Sequence, residues 1–121
     1  MFEFQAFSNG TNFARGKFAT QSSTHNGNVN FLATSAVDGN NSTFSHTSSS
    51  DQNAWWYVDL GQTVDVQNFV ILNRWCGSSA DPNGCLCRLS RARLSFLDVN
   101  NATVARTTLG NTCAVPLVTL S

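Results

Sequence analysis

VDVQNFVILNR, residues 64–74, begins in alternation and ends in a continuous apolar run, Phe69 to Leu72. A segment that turns apolar on both faces is the pattern of a central strand. Working outward, the stretches on either side are also strand-like. WWYVDL (55–60) is aromatic and β-branched. ARLSFLDV (92–99) alternates, with Ala92, Leu94 and Phe96 on one face and Arg93, Ser95 and Leu97 on the other. Asn100-Asn101 is a turn, ATVARTTL (102–109) is its hairpin partner, and VPLVTL (115–120) follows. At the other end, Phe2-Glu3-Phe4-Gln5-Ala6 alternates as a half-buried strand does. No long amphipathic helix is present, and Gly, Asn and Ser punctuate the chain about every ten residues, the spacing of a sandwich or barrel. The expected fold class is all-β. Residues 21–54 read mostly as loop, a length that usually signals function.

Composition narrows the class further. The 121 residues suffice for one domain, with 41% apolar residues and only 12% charged. The formal net charge is zero, which argues against nucleic acid and against anionic membranes held by charge alone. No apolar run approaches membrane-spanning length, and FEFQAF lacks the basic and apolar regions of a signal peptide. Four cysteines in a Lys-poor chain favour disulfides, hence an oxidising compartment. Sequons at Asn9, Asn40, Asn41 and Asn101 agree with a glycoprotein, although a chain rich in Asn, Ser and Thr also makes them by chance. The expectation is one domain, residues 1–121, excised from a larger secreted protein.

Three features carry the possible chemistry. The first is SAVDGNNSTFSHT (35–47), crowded with side-chain oxygens. A hard cation such as Ca²⁺ takes six to eight oxygens from carboxylates, carbonyls and hydroxyls. Asp38 offers the carboxylate, Gly39 the tight turn, and Ser35, Asn40 and Thr43 further oxygens. The same spacing also describes a plain Asp-Gly turn that needs no metal. The second is His46 together with Arg74 and Arg88, at loop-proximal strand ends, where a β-sandwich builds its binding surface. One imidazole and two guanidiniums can donate several hydrogen bonds to sugar hydroxyls. Arg91 and Arg93, on the outer face of their strand, read as packing residues. The third is CGSSADPNGCLC (76–87) with Cys113. Four thiolates could hold zinc, but the C-x-C spacing is unusual for it. The expectation is two disulfides, Cys76–Cys85 closing the Asp-Pro-Asn-Gly loop and Cys87–Cys113 tying two strands, out of three possible connectivities. An enzyme is not expected. G-x-S-x-G, H-E-x-x-H and Gly-rich phosphate loops are missing, and His25 and His46 have no evident nucleophile partner.

Taken in order, NFARGKFATQSST, SAVDGN, HT, AWWYVDLG, VILNR and RLSRARLSFLD resemble a discoidin domain, the C-type domain of coagulation factors five and eight, over residues 12 to 99. Within that superfamily the chain is most similar to the F-type, fucose-binding lectins, whose motif runs His, Arg, an acidic residue, vicinal cysteines and a second basic residue before a strand. His46, Arg74 and Arg88 match the His and the two basic positions. The resemblance implies a discoidin-like β-sandwich jelly roll and a non-catalytic, lectin-like module. It also implies Ca²⁺ held by Ser35, Asp38, Asn40 and Thr43, with Ser35 and Asn40 acting through carbonyls. The expected partner is a glycan, fucose-like or a sulfated polysaccharide, with Trp75 or a cystine against its C–H face. Neighbouring domains or subunits of an extracellular protein are the rival partners, in a structural adhesion role. Membrane adhesion through Phe31-Leu32 and Trp75 ranks last. The chain departs from the family in Cys85-Leu86-Cys87, where the family's cysteines are adjacent, and in the insertion CGSSADPNG, which contains Asp81. Discoidin domains usually end in a strand of the form L-x-E-V-x-V-F, which MFEFQAFS resembles. The N-terminal strand is therefore expected in place of the usual last strand, with Glu3 adding a carboxylate to the calcium site.

Overall fold

The computed structural model describes residues 1–76 and 84–121. Residues 77–83, Asp81 among them, lie outside the described residues. The chain is all-β. Its strands are β1 (Glu3–Ser8), β2 (Thr11–Asn12), β3 (Phe18–Gln21), β4 (Trp56–Asp59), β5 (Asn68–Leu72), β6 (Arg93–Leu97), β7 (Thr103–Thr108) and β8 (Leu117–Leu120), with one helical turn, α1 (Gly84–Cys87), before β6. A four-stranded antiparallel sheet has the order β2-β1-β5-β8, and β3-β4 and β6-β7 form two antiparallel ribbons.

The apolar run 69–72 does become the central strand. β5 pairs with β1 on one side (Glu3 with Leu72, Ala6 with Phe69) and with β8 on the other (Leu117 with Leu72, Leu120 with Phe69). The core beneath it is built from small buried residues, Ala6, Ala14, Ala19, Ala33 and Val37, closed by larger side chains such as Phe4, Trp56 and Phe69. Small side chains let the layers approach closely, and the rings then fill the margin. Phe4 lies 5.3 Å from Trp56 and 6.1 Å from Phe69, centroid to centroid. The Trp56 indole N–H, which must find a partner when buried, donates to the Ala33 carbonyl at 2.9 Å.

Strand ends follow local chemistry. β8 begins at Leu117 rather than Val115, because Pro116 cannot donate to the ladder and Val115 closes a turn on Thr112. β6 begins at Arg93, just after Arg91 in the left-handed region at φ 63°. The 21–54 segment is more ordered than a loop: it contains three short 3-10 turns, His25–Gly27, Val29–Phe31 and Ala33–Ala36. The Asn28 side chain accepts from the Asn30 N–H at 2.9 Å and caps the second of these. Ser22 and Ser23 each donate to the Asp51 carboxylate at 2.6 Å, tying the two ends of the segment together.

Candidate functional site

The oxygen-rich loop is folded around Thr43. Asn40 N–H donates to Asp38 Oδ1 at 2.8 Å and Ser42 N–H to Asn40 Oδ1 at 2.9 Å, two Asx turns in succession. Gly39 carries the sharp bend at φ 76°, under the Arg15 side chain. Three acceptors then crowd the Thr43 hydroxyl: Asp38 Oδ2 at 2.6 Å, the Asn40 carbonyl at 3.0 Å and the Ser35 carbonyl at 3.3 Å. One hydroxyl has one proton, so two of the three face it with lone pairs only. Glu3 joins the same loop from β1. Its side chain is buried, Oε1 accepts from Gly39 N–H at 3.1 Å, and Oε2 has no partner. Burial pushes the Glu3 carboxyl up to about 7, against the pull of the Gly39 N–H; Asp38 pushes it further up, and Arg15 pulls it down.

Acceptors without donors, including a buried carboxylate oxygen, are the donor set that a hard cation satisfies. Among the described residues there is no group of three His, Cys, Asp or Glu side chains able to hold a metal. A cation here would therefore draw on two carboxylates supplemented by main-chain oxygens, which suits calcium better than zinc. The residues expected from sequence, Ser35, Asp38, Asn40, Thr43 and Glu3, all belong to this one cluster.

His46 lies three residues beyond Thr43 and is packed on three rings. It stacks on His25 at 4.3 Å and lies 5.6 Å from Phe31 and 6.4 Å from Phe44. Its Nδ1 is hydrogen bonded to the Thr47 carbonyl, which fixes the proton on Nδ1 and leaves Nε2 as an acceptor. Burial lowers the His46 pKa, and Arg74, His25 and Arg88 lower it further against the Thr47 carbonyl. The ring is thus a neutral acceptor at pH 7, not the donor that the sequence reading assigned to it.

Arg74 is set by the end of β5. The preceding Asn73 is buried, its Nδ2 donating to the Leu86 carbonyl at 2.8 Å and the Val115 carbonyl at 3.1 Å, while its Oδ1 accepts from Arg74 N–H at 2.9 Å. The Arg74 guanidinium lies 3.9 Å above the Phe44 ring, which itself stacks on Phe31 at 5.0 Å. Burial and the nearby Arg88 lower the Arg74 pKa. Arg88 follows α1, which is stapled at both ends: Cys85 to Cys76, and Cys87 to Cys113. Both expected disulfides are therefore formed.

His46, Arg74 and Arg88 line one cleft of about 430 Å³, together with Trp55, Trp56 and Arg93. Cys85 also lines it, whereas Trp75 is 57% exposed and is not among the lining residues. Trp55 takes the aromatic position expected of Trp75. Trp56 also packs against the core, whereas Trp55, the residue just before β4, is left half exposed. Arg93, read as an outward packing residue, stands at the first position of β6, at the end that meets the cleft. Two guanidinium donors, an imidazole acceptor and an indole wall can hold a hydroxyl-rich ring by polar contacts on one side and C–H contacts on the other.

Residues 35–117 match the family described as NedA-like, galactose-binding domain, of the factor 5/8 type C group. No curated protein sequence matches the chain. Solved structures do. The lectin domain of lectinolysin complexed with Lewis B antigen is 36% identical, with a TM-score of 0.72, over 91% of this chain and 75% of that one. A histidine mutant of the lectinolysin lectin-binding domain complexed with Lewis b is 35% identical, with a TM-score of 0.73, over 95% of this chain and 77% of that one. A Streptococcus pneumoniae fucose binding module is 31% identical, with a TM-score of 0.69, over 94% of this chain and 77% of that one.

Proposed function

We propose that this chain, which belongs to the factor 5/8 type C family of NedA-like, galactose-binding domains, is a non-catalytic carbohydrate-binding module for fucosylated glycans. The observation that carries the reading is the meeting of His46, Arg74 and Arg88 in one cleft with an exposed indole, in a chain similar to domains solved with Lewis b. In this reading Arg74 and Arg88 donate to ring hydroxyls, His46 Nε2 accepts from one, and Trp55 covers the apolar face of the sugar. Each hydrogen bond replaces one to water, so the net gain is about 0.5–1.5 kcal/mol per bond. A single sugar then binds with a dissociation constant on the order of 1 mM.

Calcium is the second part of the proposal. Ser35, Asp38, Asn40, Thr43 and Glu3 would hold it, and the ion would order the loop that leads into His46. The third part is location. Two disulfides suit an oxidising, extracellular setting, where the module serves as one domain of a larger protein. Among the described residues no helix is long and apolar enough to cross a membrane.

A glycan array probed in calcium and in chelator tests the reading. Fucosylated glycans should be bound, more weakly in chelator. Arg74→Ala and Arg88→Ala should each abolish binding while leaving the cooperative melt in place, because neither guanidinium belongs to the core. Loss of the fold in both variants, with no glycan bound by the wild type, would instead make this a structural module.

A further inference from the structure

We propose that the cleft holds, besides the terminal-sugar site, a second subsite where Arg93 takes an anionic substituent of the glycan, a sulfate or a carboxylate. This rests on the carbohydrate-binding reading and specifies which glycans it selects. The cleft that His46, Arg74 and Arg88 line is lined as well by Ala92, Arg93 and Leu94. Among its described lining residues there is no Asp or Glu, and its charged side chains are all guanidiniums: Arg74, Arg88 and Arg93. With Arg74 and Arg88 assigned to ring hydroxyls, Arg93 is the guanidinium of the cleft left over. Cations gathered in a partly buried cleft repel one another, and an anion bound between them relieves that repulsion. Burial is the larger cause of the lowered Arg74 pKa, and repulsion from Arg88 adds to it.

The walls of this subsite are preorganised. Arg93 is held in register opposite Thr108, with the half-buried Leu94 and Phe96 anchoring the strand behind it. Trp55 is fixed through its main chain. Its N–H donates to Ser22 Oγ at 3.0 Å, its carbonyl accepts from Ser22 N–H at 3.0 Å, and Ser22 is itself held by Asp51. A guanidinium fork presented from a rigid strand matches the paired oxygens of sulfate or carboxylate.

Calorimetry with three matched ligands tests the proposal: a neutral Lewis b oligosaccharide, its sulfated form and its sialylated form. The wild type should bind at least one anionic form about tenfold more tightly than the neutral one, the gain of one charge-assisted contact. Which of the two gains identifies sulfate or carboxylate as the group recognised. The advantage should shrink as salt rises. Arg93→Gln should bring the anionic-to-neutral ratio to about one, and Arg93→Lys, which keeps the charge but not the fork, should retain part of it. Equal binding of all three ligands by the wild type, or an unchanged ratio in both Arg93 variants, overturns the second subsite. Binding of none of the three overturns the carbohydrate reading itself.

Discussion

Thr43 offers one hydroxyl proton to three oxygens, and that imbalance sets what calcium should do to stability. A ligand that binds only the folded state stabilises it by linkage. Calcium should therefore raise the melting temperature of the wild type, and Asp38→Ala in calcium should melt near the chelated wild type. Equal melting of the wild type with and without chelator would remove calcium from the account. Glu3 gives a second test, through pH. Its folded-state carboxyl lies near 7 against an ordinary 4.5, so the folded protein binds the extra proton. In chelator, this contribution to stability is full at low pH and is lost as pH rises from about 4.5 to about 7. His46 and the amino terminus, both lowered chiefly by burial, act in the opposite direction, so the comparison with Glu3→Gln isolates the carboxylate. In chelator at neutral pH the Gln variant should melt higher than the wild type. In calcium the order should reverse, because the ion needs the carboxylate. Melting curves across pH in both conditions check this, and parallel profiles for the two proteins would refute it. Gly39 is a smaller case. A Cβ there would come within 2.8 Å of Arg15 Nε, but that side chain can move aside, so the left-handed φ decides the cost of Gly39→Ala at about 1 kcal/mol.

Elements repeat the sequence more faithfully than sites do. β5, β6 and β7 lie inside the stretches whose alternation and apolar runs announced them, because a strand's period of two is a local property. β1 was equally legible, and its neighbour in the sheet is β5. The 3-10 turns between His25 and Ala36 were not, since such turns have no hydrophobic period and depend on contacts such as Gln21 Nε2 to the Phe31 carbonyl at 2.9 Å. The cleft was legible only in part. His46, Arg74 and Arg88 could be named from their places at loop-proximal strand ends and from a resemblance, but Trp55 and Arg93 enter it from segments some forty residues apart, brought together by packing that no local pattern encodes. α1 is the element on which one further prediction turns. Its Cys87 is bonded to Cys113 across a separation of 26 residues, and Arg88 comes next in the chain. Replacing both Cys87 and Cys113 by Ser should cost roughly 3 kcal/mol in denaturant unfolding, by releasing the unfolded chain from its loop. Glycan affinity measured well below the new melting point should fall as well. Unchanged affinity would mean that Asn73 and Thr112, which donate to the Leu86 carbonyl, hold α1 without the bridge.

At the scale of the whole molecule, one cleft with weak polar contacts predicts a dependence on multiplicity. Two copies joined by a flexible linker should bind a glycan-coated surface roughly 10² to 10⁴ times more tightly than one copy, with no change toward a monovalent glycan in solution. Surface binding and calorimetry on the same pair of proteins separate the two effects, and equal surface binding by one copy and two would argue that the cleft is not the point of attachment. The sheet order has a mechanical meaning of its own. Glu3 and Leu117 both stand level with Leu72, while Ala6 and Leu120 both stand level with Phe69. β1 and β8 thus run in the same direction on either side of β5. Tension applied ahead of β1 and behind β8 pulls the two strands opposite ways along their own axes. The rungs on both sides of β5 are then sheared together instead of being unzipped singly, so under drag the sheet yields only when a whole ladder gives way.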